Sequence, residues 1–415
     1  MKNKLYLLLL LAVASLSSLS AQKFQYEKDE TALKSLLIEL QQSDEARNAR
    51  VANYLKKHPE QSHTFKEDGN TFMLYDVERG QPVFLTTHNE GSVQSVNADE
   101  VREGGRFGLN ITGEGLRIAV WDAGTALRTH EAYENRLLVT GGSEIDNHAC
   151  HVIGTVMAGG TDAGARGYLY NAVGKAYWWN NFFQEMTTEA LNEDLLGSNH
   201  SYGVPAGWSG SSWLGDASIS NEEDYRFGFY SGAARTADAL AYSAPYYSIF
   251  KSAGNDRNDS GGGPQAPDGP FDCITDWGVA KNIFVIGAVQ KNGGNYTGPE
   301  SIVMSSFSSW GPVDDGRIKP DLVMPGVSIY SVLCEDGEDQ YGNLSGTSMA
   351  SPGALGATMM INEAYKQFNN TNLKSASLKA LMIQTAMEAG NNPGPDYSFG
   401  WGMIDVEEAV DLIIA

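Results

Sequence analysis

The chain has 415 residues, enough for two or three domains, and its 42% hydrophobic and 19% charged content is that of a globular protein with a sizeable core. Lys and Arg number 29 against 51 Asp and Glu, a net charge of −22 that repels nucleic acid and anionic membranes. Three cysteines (Cys150, Cys273 and Cys334) exclude a disulfide framework; the odd count leaves at least one thiol over, with Cys273–Cys334 a bridge that spacing allows but does not establish.

In chain order, residues 1–21 have the pattern of a secretory signal. Lys2 and Lys4 give a positive start, Leu5 to Leu16 is apolar but short for a bilayer, and Ser17 to Ala21 is small and polar apart from Leu19. Cleavage is expected after Ala21; an uncleaved anchor is the alternative. No later stretch is long and apolar enough to span a membrane, so an exported, soluble protein is expected. Residues 22–95 are charged. Leu33, Leu36, Leu37, Leu40, Val51 and Leu55 recur at helical spacing over Thr31–Lys56, and strand-like pieces follow at Thr71–Val77 and Pro82–Thr86. This predicts a small α+β unit, with polar His88–Ser95 as a linker or exposed cleavage region.

From about residue 105 the pattern alternates. Strands are predicted at Leu116–Trp121, Ala172–Trp179, Ser248–Ala253 and Ile283–Val289, and helices at Ala149–Ala158 and Ser375–Glu388. Alternation of this kind predicts an α/β domain over residues 96–415, with a mostly parallel central sheet flanked by helices. Sites in such sheets gather at the carboxyl ends of strands, where Asp122 and Asn255 fall. Gly261-Gly262-Gly263-Pro264 marks a surface loop, and there are no internal repeats.

The stretch Ser345-Gly346-Thr347-Ser348-Met349-Ala350-Ser351-Pro352 is the most informative in the chain. The Gly- and Ala-rich apolar run after it predicts a buried helix that neighbours approach closely. Pro352, tolerated in a helix's first turn, places Ser348 near the helix start. Backbone N–H groups there lack partners and the dipole favours negative charge, so a serine oxygen could attack a carbonyl beside a site that welcomes an oxyanion. An N-capping serine is the plain alternative.

A serine nucleophile needs a base and an orienting acid. The chain has seven histidines; His200 lies in a loop-like Asn199-His200-Ser201 context, whereas His148 and His151 share the helix-opening segment Asp146-Asn147-His148-Ala149-Cys150-His151-Val152-Ile153-Gly154-Thr155. His148, at the exposed start, is the candidate base, and His151, one turn on and expected to face the same way, its packed neighbour. Their spacing also admits zinc, but the glutamate of a metalloprotease helix is missing. Asp122 ends the run Ile118-Ala119-Val120-Trp121, where a carboxylate can accept an imidazole N–H and fix its tautomer, or simply cap a turn.

The order Asp122, His148, Ser348 and the contexts IAVWDAG, DNHACHVIGT and GTSMASP resemble the subtilisin-like serine proteases. Two further segments, Phe307–Gly326 and Phe399–Asp405, are similar to that family's stretch before the serine and to its closing segment, so five ordered matches extend over residues 105–415. The resemblance implies a subtilisin-like fold and an acyl-enzyme mechanism on protein or peptide substrates. It carries the oxyanion-hole role to Asn255 of Ser252-Ala253-Gly254-Asn255, and substrate contact to Ser201-Tyr202-Gly203 and Ser252-Ala253-Gly254. Residues 22–95 are then a prosegment that assists folding and blocks the cleft until cut, with self-trimming expected near residues 85–105; an accessory domain is the alternative. A catalytically silent peptide binder and a transpeptidase stay open. Departures are Ala123 for the usual Ser or Thr, Ala149-Cys150 for the usual Gly-Thr, and Gly353 where histidine is frequent. Cys150 is either a thiol crowding His148 or a small buried filler. The chemistry requires no cofactor. The family's calcium loop after the histidine helix is not evident in Gly159–Gly164, so structural calcium stays unassigned.

Overall fold

The computed structural model describes residues 28–67, 70–78, 80–87, 94–142, 144–192, 195–220, 222–259, 261, 263 and 271–415. The signal segment 1–21, residues 88–93 of the expected linker and residues 262 and 264 of the expected surface loop lie outside the described residues.

A helix, α1 (Glu30–Lys57), precedes an antiparallel meander of β1 (Thr64–Glu67), β2 (Asn70–Glu78) and β3 (Gln81–Thr87). The remaining strands are β4 (Arg117–Asp122), β5 (Leu137–Thr140), β6 (Val173–Trp178), β7 (Gly197–His200), β8 (Tyr202–Gly203), β9 (Trp208–Ser209), β10 (Ser212–Trp213), β11 (Ser248–Ser252), β12 (Phe284–Val289), β13 (Leu322–Pro325), β14 (Ile329–Leu333) and β15 (Gln340–Leu344). The helices are α2 (Asn147–Met157), α3 (Phe182–Asn192), α4 (Gly232–Ser243), α5 (Thr347–Asn369), α6 (Ser375–Gln384) and α7 (Val406–Ile414). Seven strands form one parallel sheet in the order β13-β12-β11-β7-β4-β6-β5.

The sheet is apolar on both faces because helices cover both. Along β4, Ile118 and Val120 join a core with Val152 and Ile153 of α2 and Leu355 of α5, whereas Ala119 and Trp121 face Phe182 and Met186 of α3 and Leu240 of α4. The second core also takes Leu33 and Leu40 of α1. The N-terminal unit is clamped there by polar contacts. Arg47 donates to Asn180 O (2.7 Å) and Asn181 Oδ1 (2.9 Å), and the Asp29 N–H donates to Ser243 O (2.9 Å). Strand β3 extends beyond its own meander and pairs with β8, Thr86 opposite Gly203 and Thr87 opposite Tyr202.

The α/β class, the parallel sheet and the small α+β N-terminal unit agree with the sequence reading. Three expectations do not. Asn199-His200-Ser201, expected as loop, is strand through its first two residues, because β7 runs fully buried through His200. The Cys273–Cys334 bridge is wrong: Cys150 and Cys334 are joined (Cα–Cα 6.2 Å), and Cys273 is the buried free thiol. Both residues of the true bridge belong to elements that already pack together, α2 and the segment just after β14, whereas Cys273 packs with Ala206 and Phe227. Cys150 is accordingly neither a reactive thiol nor a filler but one end of a crosslink 184 residues apart in sequence.

Alkylation of the unfolded chain without reductant should modify one thiol, Cys273, and three after reduction; removing the bridge by Cys150→Ala with Cys334→Ala should lower unfolding free energy by about 2–5 kcal/mol in a denaturant titration. Glu185 accepts from Trp121 Nε1 (2.8 Å) in a setting whose desolvation raises its carboxyl to about 7. The folded state therefore holds a proton that the unfolded state has released above the ordinary glutamate range. This stabilisation is complete below about pH 4.5 and is lost as pH rises through about 7. Glu185→Gln lacks that loss, so its melting temperature should gain on wild type steadily from pH 5 to pH 8.

Candidate active site

The strand order reverses direction between β4 and β7, the place where open parallel sheets bind ligands. Trp121 of β4 stands in register with His200 of β7, and β11 flanks β7 on the other side. Asp122, Ser201 and Ser252 are therefore delivered side by side at the carboxyl ends of three adjacent strands, with neighbouring strands about 4.8 Å apart.

Asp122 is 1% exposed and its Oδ1 lies 2.6 Å from His148 Nδ1. The Ala123 N–H donates to the same oxygen (2.7 Å), while Oδ2 is buried with no partner among the described residues. Burial raises the Asp122 carboxyl above its ordinary range, against the opposing pull of the His148 imidazole and the Ala123 N–H. A 2.6 Å contact to a carboxylate makes Nδ1 the donor, so the neutral ring's lone pair is on Nε2.

His148 stands in the first turn of α2, whose N-cap Asp146 accepts the His148 N–H at 2.8 Å. The helix is fixed against β14 along its length. Asn147 Oδ1 accepts the Cys334 N–H (2.6 Å), Cys150 is crosslinked to Cys334, and Ser331 Oγ donates to His151 O (3.1 Å). A Cβ on Gly154 would come within 2.7 Å of Ser331 Oγ and Val332 Cγ2, so only glycine permits this approach. His151 does not share the orientation of His148: its Nε2 donates to Ile329 O (3.1 Å), and burial lowers it to about 3, so the ring stays neutral.

Ser348 is the second residue of α5 and fully buried. Its Oγ donates to Ser201 O (3.0 Å), and Ser201 Oγ donates to Ser348 O (2.6 Å). The second bond has a cause in the sequence. Pro352 is the sixth residue of α5, in the second turn rather than the first, and has no N–H to give the Ser348 carbonyl. Ser201 supplies the missing donor. The reciprocal pair ties Ser348 to the strand beside the one that ends at Asp122.

Asn255 follows Gly254 just past β11. Its Oδ1 accepts from the Thr347 N–H (3.1 Å) and Thr347 Oγ1 (3.0 Å), and Thr347 Oγ1 accepts the Gly254 N–H (3.2 Å). With Oδ1 set by a backbone donor, the amide orientation is unambiguous and Nδ2 points away from Thr347. Gly254 has φ +111°, and a Cβ there would meet Asp256 Oδ2 at 2.6 Å. Ala253 N–H donates to Ile286 O (3.0 Å), and Ser252 is buried.

Of the expected substrate-contact residues, Tyr202 and Gly203 present backbone that pairs with β3. The Tyr202 side chain is core: it lies 5.3 Å from Trp179 and 5.5 Å from Phe182, and its hydroxyl meets His200 Nδ1 at 2.8 Å. Two contributors were not foreseen. Thr347 orients Asn255; its place before Ser348 was the available signal. Lys251, fully buried by its surroundings, donates to Tyr202 O and to Ser252 O (3.1 Å), and desolvation lowers it to about 8. Nothing in the sequence marks a lysine in an apolar strand as a brace for its neighbour's carbonyl. No group of three His, Cys, Asp or Glu among the described residues could hold a metal ion.

Known proteins resemble this chain in family and in fold. The Subtilase family model matches residues 113–402. A PII-type proteinase of Lactococcus lactis subsp. cremoris is 32% identical over 126 residues, 26% of this chain and 6% of that protein. The serine protease AprX of Bacillus subtilis (strain 168) is 28% identical over 144 residues, 32% of this chain and 30% of that protein. The chain thus spans a minor part of the length of both relatives. The solved structure of the Clostridium perfringens CspB protease, 16% identical, covers 78% of this chain and 99% of its own with a TM-score of 0.59, a likeness of fold. On the family match over residues 113–402, this chain belongs to the Subtilase family of serine-type peptidases.

Proposed function

We propose that the chain is the precursor of a secreted serine endopeptidase with Asp122, His148 and Ser348 as its triad. The observation that carries this is the 2.6 Å Asp122–His148 contact beside the strand that holds Ser348 through Ser201. Ser348 Oγ attacks the substrate carbonyl carbon and its proton passes to His148 Nε2. The tetrahedral adduct expels the amine, which takes that proton, and leaves an acyl-enzyme; water, deprotonated by the same nitrogen, then releases the acid and restores Ser348. Asp122 holds the imidazole and offsets its charge. Asn255 Nδ2 and the Ser348 N–H donate to the oxyanion. Substrate adds as a strand along Gly203, with Ser252-Ala253-Gly254 as the facing wall.

Residues 22–95 act as the prosegment. Two features support this: β3 occupies the β8 edge that substrate would use, and Ser348 is fully buried in the uncut chain. Cleavage then falls after Thr87, the last paired residue. Export rests on the signal pattern of residues 1–21; among the described residues no helix is long and apolar enough to cross a membrane. One relative, Vpr of Bacillus subtilis (strain 168), is named a minor extracellular protease.

Expressed wild type should digest casein and yield a new N-terminus between residues 88 and 95 on sequencing, whereas Ser348→Ala should do neither; equal digestion by both would refute the mechanism. In the trimmed enzyme, Asn255→Ala should lower kcat by about 10²–10³-fold with KM little changed. Thr347→Val should give a smaller loss in kcat, since Asn255 keeps its bond to the backbone N–H of residue 347.

A further inference from the structure

The loop after the histidine helix, where the family resemblance would place calcium, borders a cavity of about 470 Å³. Arg102, Arg166, Lys291 and a single carboxylate, Asp99, are its charged lining residues. Asp162, the loop's own carboxylate, does not line it; both its oxygens are engaged by lining residues, accepting from the Gly164 N–H (2.8 Å) and Tyr330 OH (3.1 Å). Calcium needs six or more oxygen ligands, several of them anionic. Three cations around one acid would repel a dication, so these residues do not fit calcium.

We propose that this cavity binds an anionic small molecule carrying phosphate or carboxylate groups. Its lining sets three cations against one carboxylate in a chain of net charge −22. Arg102 sits deepest. It donates only to the Gly167 (2.7 Å) and Tyr168 (3.2 Å) carbonyls, and its Nε is buried with no partner among the described residues. Arg166 and Arg102 both face the Tyr170 ring, at 5.2 and 5.4 Å, and neither pairs with a carboxylate among the described residues. Lys291 donates to the Ser328 carbonyl from the exposed rim. Two guanidiniums held close with only the Asp99 carboxylate beside them in the lining, and neither in an ion pair among the described residues, are suited to an oxyanion. The volume exceeds a bare ion and falls within the range of small-molecule sites. Gln94 and Ser95 line one side and Thr155 of α2 another. A bound anion would therefore tie the segment entering the catalytic domain to the helix of His148.

The test uses the full chain carrying Ser348→Ala, with pyrophosphate and citrate as phosphate and carboxylate probes, and reads binding rather than proteolysis. At least one probe should raise the melting temperature saturably, by about 2 °C at tenfold excess over its Kd. The Kd should weaken tenfold or more in Arg166→Ala with Lys291→Ala, two exposed positions whose replacement should leave the circular dichroism spectrum unchanged. The stronger probe identifies the ligand class. Absence of a saturable shift with both probes, or an undiminished Kd in the double variant, would overturn the assignment.

Discussion

The site depends on one pairing: Trp121 of β4 beside His200 of β7. Parallel strands in register must end together, so the residue after each is brought to the same edge of the sheet. Asp122 thereby stands beside Ser201; His148 is bonded to the first and Ser348 to the second, and Asn255 is held by Thr347 beside Ser348. A register slip of one residue would exchange Trp121 and Asp122 between the sheet's faces and remove the site along with half a core. Burial resists that slip. Trp121 stacks on Tyr177 and His200, at centroid distances of 4.6 and 5.1 Å, and its indole N–H is taken by Glu185.

Two helices meet this edge, and each is held by a different device. Helix α2 is fastened to β14 by a disulfide, side-chain bonds at both its start and its middle, and the close contact that Gly154 allows. Helix α5 is fastened to the sheet edge by the hydrogen bond that Pro352 leaves vacant and Ser201 fills. In both cases an apparent defect, a missing side chain or a missing N–H, is what permits the contact. The N-terminal unit meets the same edge: Gly203, two residues after Ser201, is paired with Thr86 of β3.

Much of this was legible in the sequence because it is local. Buried strands read as apolar runs, α2 announces itself by its cap and glycine, and the GTSMASP context marks a helix start. Asp122, Asn255 and Ser348 fall where those patterns end. What was not legible is relational. The bridge partner of Cys150 is 184 residues away, and spacing carries no information about it. His200 sits in a polar triplet that looks like loop until Trp121, Tyr202 and Trp277 are seen to enclose it. The direction of His151 depends on β14, far along the chain. The cavity charge arises from Arg102, Arg166 and Lys291, each unremarkable in its own segment.

The central claim is that Asp122 and His148 make the Ser348 oxygen nucleophilic. Its most direct test is the rate of covalent labelling by a fluorophosphonate, read by mass spectrometry of the tryptic peptide. Wild type trimmed of residues before 94 should label once, at Ser348. Asp122→Asn and His148→Ala chains, trimmed in trans by wild-type enzyme, should label at least about 10³-fold more slowly. Labelling of those variants at the wild-type rate, or of wild type at another residue, would contradict the account.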